Sequence, residues 1–295
     1  MLTLEQLRND ATLPEEDWQI IKDGIIRAIR ERLVGRQLME ILPLAPTVQE
    51  FGYDRMKTEH GDAVVVAKGG DFPRDVYDTE RIKFPILKLG DGFTIPREDY
   101  LAGQFRTLSI EQMTRRVAEK EDKMIFDGDA DFLAGGGALD YAGNSTTAAA
   151  SWDTATVLQI YDDIRDITGK LEQDKFLGPY SMVVHANEMK NLRKYDTTAQ
   201  TTVMELIFGP EGETADLLDQ LLVSYGITDG NALVMTTGRD VAALAMAEDL
   251  TAEEPVYIAR QQRFEGNVYE RFVPVFYQYG SIAGKSDAIG KIISL

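Results

Sequence analysis

The first regular pattern of hydrophobic positions lies near the N-terminus, within TLPEEDWQIIKDGIIRAIRERL. Its apolar residues recur at helical spacing between charged positions. They are Trp18, Ile21, Ile25, Ile29 and Leu33. Thr12 and Glu15 precede this stripe with the spacing of a capping box, in which two side chains satisfy backbone N–H groups at a helix start. The pattern predicts an amphipathic helix that docks on another surface.

From about residue 47 to residue 97 the helical period disappears, and short β-like runs replace it in DAVVVAK, RIKFPILKL and GFTIP. Gly, Pro and Asp separate these runs, and the segment GGDFPRDVYD between them is polar and rich in turn residues. A two-stranded ribbon has little core of its own. The segment is therefore predicted to be an extended arm that needs neighbouring structure for burial.

A long amphipathic helix is predicted in LSIEQMTRRVAEKEDKMIFDGD, with Thr107 or Ser109 as its N-cap. Its apolar side is formed by Ile110, Met113, Val117, Met124 and Ile125. The next stretch, FLAGGGALDYAGNSTTAAASW, contains three consecutive glycines and is predicted to be a loop. A further helix is predicted in TATVLQIYDDIRDITGKLEQD.

In the second half of the chain, predicted strands alternate with predicted helices. In GPYSMVVHANEMKNLRKYD, a short buried strand at residues 182–185 precedes a helix opened by Asn187, a joint typical of layered α and β structure. The alternation of helices and strands is predicted to continue through TADLLDQLLVSYG into NALVMTTG and then AALAMAED. The C-terminal third, with VYIARQQRFEGNVYERFVPVFYQYG and DAIGKIISL, is rich in aromatic and β-branched residues and predicts strands.

Composition narrows the class of protein. Of 295 residues, 44% are hydrophobic, which is enough for the core of one large domain or two medium ones. The sequence shows neither a membrane-spanning apolar run nor a signal peptide, so cytoplasmic synthesis is expected. A formal net charge of -18 repels nucleic acid and anionic membranes. The absence of cysteine excludes disulfides, thiol nucleophiles and cysteine-ligated metals.

Few residues offer catalytic chemistry. His60 lies in a predicted turn and His185 ends an apolar strand, and neither has a second His at metal-binding spacing. Asp127, Asp129 and Asp131 follow the start of a calcium-loop pattern, but its later Gly and closing Glu are missing. These carboxylates, like those in EKED and YDDIRD, are interpreted as solvated, with a weak surface cation site as the alternative. We predict no catalytic, cofactor-binding or metal-binding residues, and no enzyme.

The segment GSIAGKS, residues 280–286, invites comparison with a phosphate-binding loop. Such a loop needs four residues between its first Gly and the Gly-Lys-Ser, whereas three separate Gly280 from Gly284. Only DAIGKIISL follows, which is too short for the rest of a nucleotide-binding domain. The segment is interpreted as a turn between two strands.

Four stretches, taken in order, resemble the encapsulins and the major capsid proteins of tailed viruses. They are RERLVGRQLMEI, RVAEKEDKMIFDG, GPYSMVVHANEMKNL and VYERFVPVFYQYGSIAGKSDAIGKIISL. The most specific pieces are Ala-Glu-x-Glu-Asp-x-x-Ile-Phe-x-Gly at residues 118–128 and Gly-Pro-Tyr at residues 178–180. The resemblance extends from about residue 18 to residue 295. It implies an α+β protein with the phage capsid fold, also called the Johnson or Hong Kong 97-type fold.

The same resemblance implies a division of the chain. Residues 1–46 would form the N-terminal arm and helix, and residues 47–100 the E-loop, which extends across a neighbouring subunit. Residues 101–153 would belong to the peripheral domain, with the helix of RVAEKEDKMIFDG as its spine. Residues 154–250 would form the axial domain, whose loops meet at symmetry axes, and residues 251–295 would return to the peripheral domain as strands.

The implied function is self-assembly of many copies into an icosahedral shell. The first expectation is a tailed-virus major capsid protein, in pentamers and hexamers, forming a virion capsid in the host cytoplasm. Its further partners would be decoration, portal or scaffolding proteins, and it would enclose double-stranded DNA without sequence-specific contacts. The alternative is an encapsulin compartment in the cytoplasm that encloses a cargo enzyme, and a cytosolic enzyme is a distant third.

Two departures from the encapsulin pattern favour the viral interpretation. After the first helix, encapsulins usually carry a Gly-Pro segment, whereas ILPLAPTVQEF contains Pro43 and Pro46 without Gly. The Glu-Gly-Leu that usually follows the spine helix is replaced by GGGALDYAGNST. A cargo groove therefore cannot be transferred to this chain residue by residue.

Overall fold

The computed structural model describes residues 33–56, 66, 78–101, 107–129, 136–197, 200–209, 217–236, 241–253, 255–279 and 284–295. The described helices are α1 (Gly35–Leu38), α2 (Arg97–Leu101), α3 (Thr107–Phe126), α4 (Ala138–Tyr141), α5 (Val157–Gln173), α6 (Met189–Leu192) and α7 (Val203–Phe208). The described strands of the first half are β1 (Glu40–Pro43), β2 (Glu50–Met56), β3 (Thr79–Pro85), β4 (Leu87–Pro96) and β5 (Ala142–Thr147). Those of the second half are β6 (Tyr180–His185), β7 (Tyr195–Asp196), β8 (Thr201–Thr202), β9 (Gln220–Ser224), β10 (Asn231–Thr236), β11 (Ala242–Ala252), β12 (Val256–Ile258), β13 (Arg263–Phe276) and β14 (Ser286–Ile293). Among these helices, none is long and apolar enough to cross a membrane.

The first sheet is organised around the long strand β13. Its strand order is β1-β11-β13-β12, and β4 pairs with β13 along its other edge. β13 alternates buried and more exposed residues over its first part and is continuously buried from Phe272 to Phe276. The helix α3 covers β4 and β13 on one face, so the side chains of β13 that point to that face are buried. The end of β13 enters the central core, where consecutive side chains are buried.

The second sheet has the order β5-β14-β10-β6-β9. β5 runs parallel to β14 and β9 runs parallel to β6, whereas β10 is antiparallel to both of its neighbours. Helix α5 covers β14 and β5, and the core beneath it includes Trp152, Ile160, Ile164 and Met182, all fully buried. A separate core joins the two sheets, since Leu233 and Ile289 of the second sheet share it with Leu244 and Phe272 of the first.

Two of the predicted long helices, α3 and α5, are confirmed. α3 spans nearly the whole of the stretch predicted for the spine, and Val117, Met124 and Ile125 of its apolar side are buried. α5 begins at a capping box formed by Thr156 and Gln159. The N-terminal helix predicted from residue 12 lies outside the described residues apart from Leu33. The runs RIKFPILKL and GFTIP are confirmed as β3 and β4, whereas DAVVVAK, apart from Val66, lies outside the described residues.

The prediction of one continuous loop after α3 was wrong. The small-residue stretch contains α4 and the strand β5, whose backbone pairs with β14 from Ser286 to Ile293. The glycines have a separate cause: a Cβ on Gly137 would lie 2.3 Å from the Gly128 nitrogen and 2.5 Å from the Phe126 oxygen. Two backbone segments approach each other too closely there for any side chain.

The alternation of helices and strands predicted between residues 214 and 249 was also wrong in part. TADLLDQLLVSYG contributes the strand β9, and AALAMAED belongs to the strand β11. The leucine-rich spacing of the first segment fits a helix, but pairing with β6 at the sheet edge determines its structure. The interpretation of GSIAGKS as an inter-strand turn agrees with the flanking strands β13 and β14, although residues 280–283 lie outside the described residues.

Replacement of Asp163 by Ala is expected to lower the free energy of unfolding by about 1–3 kcal/mol. The buried Asp163 carboxylate accepts a hydrogen bond from Trp152 Nε1 at 3.0 Å and from the Ala149 backbone N–H at 3.1 Å. Its removal leaves both donors without that acceptor. Thermal unfolding checks this, with Asp166→Ala on the exposed side of the same helix as the control. Equal stability of the two variants would contradict the expectation.

Candidate functional site

The hairpin β2–β3 lies in the predicted arm region. Its strands pair antiparallel from Glu50↔Pro85 to Met56↔Thr79. On β3 most side chains are exposed, and only Ile82 and Phe84 are withdrawn from solvent. β3 continues through Ile86 directly into β4 of the first sheet. The hairpin is therefore an extension of that sheet with an open surface.

The base of the hairpin is fixed to the body by Tyr53. Its hydroxyl donates a hydrogen bond to the Phe276 carbonyl at 3.3 Å and accepts one from the Gln278 backbone N–H at 3.1 Å. Its ring packs edge-on against Tyr277, with ring centroids 4.9 Å apart. Burial raises the pKa of Tyr53, so the hydroxyl stays protonated at neutral pH. The start of the hairpin is thus rigidly oriented.

A buried ionic cluster joins the first described residues to the body. Arg36 of α1 donates two hydrogen bonds to Glu121 of α3, from Nε at 2.8 Å and from Nη2 at 2.9 Å. Nη2 also donates to Glu270 of β13 at 2.8 Å, and Nη1 donates to Asp249 of β11 at 2.6 Å. Burial alone would lower the pKa of Arg36, but the hydrogen bonds and charge of Glu121 outweigh it and raise this pKa.

Asp122 holds the same segment through the backbone. Its carboxylate accepts hydrogen bonds from the Gly35 N–H at 2.9 Å, the Val34 N–H at 3.2 Å and the Ser224 hydroxyl at 3.1 Å. Burial raises the pKa of Asp122 to about 6, and the two backbone N–H groups oppose that shift. Asp122 therefore remains mainly ionised at neutral pH and links α1, α3 and β9.

A hollow of about 170 Å³ opens beside this junction. Its lining residues are Val34, Glu119, Asp122, Val223, Ser224, Tyr225 and Gly226. Gly226 has to be glycine, because a Cβ there would lie 2.7 Å from the backbone of Asp122 and Lys123. The close approach presses the segment after β9 onto α3 and presents Tyr225, which is 75% exposed, to solvent. The hollow thus combines apolar side chains with two carboxylates.

The described candidates for chemistry named from the sequence, His185, Asp127 and Asp129, make local contacts. His185 lies near this hollow, with its ring against Tyr225 at 5.9 Å and Nδ1 3.1 Å from an Asp229 oxygen. Asp127 receives hydrogen bonds from Thr228, and Asp129 pairs with Lys120 at 2.6 Å, so both serve local structure. His60 and Asp131 lie outside the described residues. In the part of the chain that the structure describes, no group of three His, Asp or Glu could hold a metal ion.

Sequence reasoning missed the residues that define this junction. Arg36 and Glu270 are far apart in the chain and carry no local motif. Glu121 and Asp122 were noted as members of an acidic cluster and interpreted as solvated, yet both are buried. The sequence did contain one indication of this burial, because both residues lie beside the apolar positions 117, 124 and 125 of α3. A charged side chain on the buried side of a helix needs a partner.

Two comparisons with known proteins find similarity to encapsulating shell proteins. The Linocin_M18 family model, described as "Encapsulating protein for peroxidase", matches residues 5–253. The type 1 encapsulin shell protein EncA of Myxococcus xanthus (strain DK1622) is 26% identical over 250 residues, which cover 81% of this chain and 82% of that protein.

Two solved structures show similar architecture. The virus-like particle from Pyrococcus furiosus has a TM-score of 0.69 at 12% identity, covering 94% of this chain and 99% of that chain. The capsid of Myoviridae phage XM1 has a TM-score of 0.65 at 12% identity, covering 89% of this chain and 92% of that chain. At such identities the likeness concerns the fold, and the predicted α+β Hong Kong 97-type fold is confirmed.

Proposed function

This chain belongs to the family of encapsulating proteins for peroxidase, and from that premise we propose that it is the shell subunit of an encapsulin compartment that encloses a cargo enzyme. It is a self-assembling shell protein and not an enzyme. The family match over residues 5–253 is the observation that favours an encapsulin shell over a viral capsid. The type 1 encapsulin shell protein of Myxococcus xanthus, matched over most of both chains, supports the same choice.

The viral interpretation receives less support. Likeness to phage capsids at 12% identity is shared by the whole fold and does not distinguish a virus from a compartment. The two departures that favoured a virus, the missing Gly-Pro and the missing Glu-Gly-Leu, are local and leave the family match intact. A shell around double-stranded DNA, with portal or scaffolding partners, therefore remains an outcome that the experiment below would reveal.

The proposal includes the division of the chain by role. Residues 47–100, with the hairpin β2–β3, would cross onto a neighbouring subunit and bury the surface that the hairpin leaves open. α3 would be the spine of a peripheral domain, and residues 154–250 would form the axial domain at the symmetry axes. An arm with so little core of its own is stable only when other copies cover it, so assembly and arm order are coupled.

We place cargo recognition at the hollow beside α3. Tyr225 and Val223, 75% and 37% exposed, offer an apolar contact, and the exposed Glu119 offers negative charge. A cargo segment suited to this surface has apolar side chains flanked by basic residues. An exposed aromatic residue on a rigid support is the usual form of an anchoring contact.

Electron microscopy of particles from the native source, with their nucleic-acid to protein absorbance ratio, tests the shell type. Protein-filled shells with low nucleic-acid absorbance are expected. Particles filled with DNA would establish a viral capsid instead, and a stable monomer or dimer in all conditions would contradict self-assembly.

The Tyr225→Asp variant tests the cargo surface in the same particles. We expect closed shells with about tenfold less cargo per shell, the scale expected when an aromatic anchor is lost. Mass spectrometry of purified particles gives the cargo-to-shell ratio. Tyr195→Asp, at another exposed tyrosine, is the matched control and should load normally. Unchanged loading of the Tyr225 variant would reject this surface while leaving the shell function intact.

A further inference from the structure

The buried charges around Arg36 do not balance. Glu121 and Glu270 have fully buried side chains, and one guanidinium donates hydrogen bonds to both of them. If both carboxyl groups were ionised, the pair would carry one negative charge more than Arg36 neutralises, although neither carboxyl group reaches solvent; Asp249, the third partner of Arg36, is 71% exposed. An uncompensated buried charge is costly, and proteins avoid it by retaining a proton on one of two neighbouring carboxyl groups.

The hydrogen bonds identify the group that holds the proton. Both oxygens of Glu121 accept from Arg36, an arrangement that suits an ionised carboxylate. Glu270 accepts one hydrogen bond, through Oε2, and its buried Oε1 has no donor among the described residues. The same Arg36 nitrogen, Nη2, donates to one oxygen of each carboxyl group, so the two groups lie close together. Two carboxyl groups in such proximity favour the retention of a proton on one of them.

We propose that Arg36, Glu121 and Glu270 form a proton-dependent latch, in which the proton held by Glu270 keeps the segment 33–43 docked against α3 and the first sheet. Loss of that proton as the pH rises places a second buried carboxylate beside Glu121. The site relieves the repulsion by opening to water, and the docked segment is released.

Of the elements around the cluster, the one with the fewest packing contacts is expected to move. α3 and β13 are long elements packed within the cores, whereas α1 has four residues and is followed by the four-residue edge strand β1. Displacing the segment exposes three residues of the central core, Val34, Leu38 and Met39, whereas α3 and β13 together contribute seven residues to that core. The segment also connects residues 1–32 to the hairpin β2–β3, so its release reaches both regions that precede and follow it.

Every element packed around Glu270 agrees with this assignment. Glu121 of α3 and Asp249 of β11 are negative, and Arg36 of α1 is the positive group. On β4 the register partner is the uncharged Leu89. The neighbouring Arg271 lies toward Pro46 and Val48, away from this cluster. Burial, and then the charge of Glu121, raise the pKa of Glu270 well above its usual range.

The direction of the pH effect follows from that shift. A carboxyl group whose pKa is raised on folding binds its proton more tightly in the folded state. Its contribution to stability is complete below the ordinary Glu pKa of 4.5 and is lost as the pH rises through the folded-state value. Asp122, with its pKa raised to about 6, contributes in the same direction and is fully titrated on the acid side of the range tested below.

Hydrogen–deuterium exchange of assembled full-length particles tests the latch. In wild-type protein, protection of residues 33–43, corrected for intrinsic exchange, should fall by up to about tenfold per pH unit above about pH 7, the limit for release of one proton, and should level off once Glu270 is ionised. Glu270→Gln, which is permanently neutral and of the same shape, should keep its protection throughout. Glu265→Gln, on the same strand but in an exposed pair with Arg263, should behave as wild type. A Glu270→Gln profile that falls in parallel with wild type overturns the proposal.

An infrared measurement on the wild-type protein gives a test that does not depend on folding of a variant. At a pH at which exposed carboxyl groups are ionised, a carbonyl band of a protonated carboxylic acid should be present, and it should disappear as the pH rises through the folded-state pKa of Glu270. Absence of the band overturns the assignment of the proton to Glu270. Because the latch acts within one subunit, either result is independent of whether the shell encloses cargo or DNA.

Discussion

Shells are expected to fail to close when residues 57–78 are deleted and Met56 is joined to Thr79 through an Asn-Gly turn. Met56 and Thr79 are directly paired in the ladder of β2 and β3, so a two-residue turn restores a short hairpin without disturbing the register below it. The hydrogen bonds of Tyr53 with Phe276 and Gln278 at the base are retained. The subunit should therefore stay folded.

Assembly should be lost because the deletion removes the part of the arm that would cover a neighbouring copy. In size-exclusion chromatography and electron microscopy, we expect monomers or small open oligomers and a virtual absence of closed shells. Circular dichroism should remain close to wild type, because the subunit stays folded. A variant in which residues 57–77 are replaced by a Gly-Ser linker of equal length separates the loss of contacts from the loss of length. Closed shells from either variant would overturn the assignment of the arm.

Replacement of Arg36 by Met should produce the largest loss of subunit stability among single substitutions at the junction. It leaves Glu121 fully buried without the guanidinium that donates to both of its oxygens. Removing one partner of a buried ion pair costs about 3–5 kcal/mol, because the remaining charge is uncompensated. Glu270 contributes less to this loss, since it already holds a proton in the proposed latch.

Thermal unfolding of the purified particles measures this effect, and the midpoint should fall by about 5–10 °C. Arg263→Met is the matched control: its partner Glu265 is on the same strand as Glu270, but both side chains are more than a third exposed. Exposed pairs contribute about 0–1 kcal/mol, so this midpoint should hardly move. If both variants unfolded at the same temperature, the buried cluster would not stabilise the junction.

The fold was predictable from the sequence wherever one element carries its own pattern. α3 and α5 have continuous apolar sides and capping signals, and each was found within a few residues of its predicted bounds. The β-rich ending and the strand before His185 follow from runs of β-branched and aromatic residues. Local periodicity is sufficient in these cases, because each element buries one continuous face.

The errors arise where pairing between distant segments decides the structure. β5, with the sequence AGNSTT, has no strand pattern and becomes a strand through its pairing with β14. β9 has leucine spacing suited to a helix and becomes an edge strand beside β6. In both cases the hydrogen bonds of a neighbouring strand, supplied by a remote part of the chain, outweigh local propensity.

By itself, then, the sequence determined the two long helices α3 and α5, the strand-rich ending and the resemblance to shell proteins. Only the tertiary structure decided the junction of Arg36, Glu121 and Glu270, which come from three distant parts of the chain. The reason is physical: charged residues in a sequence are expected to be solvated, and only packing reveals that two of these carboxyl groups are sealed against a single cation.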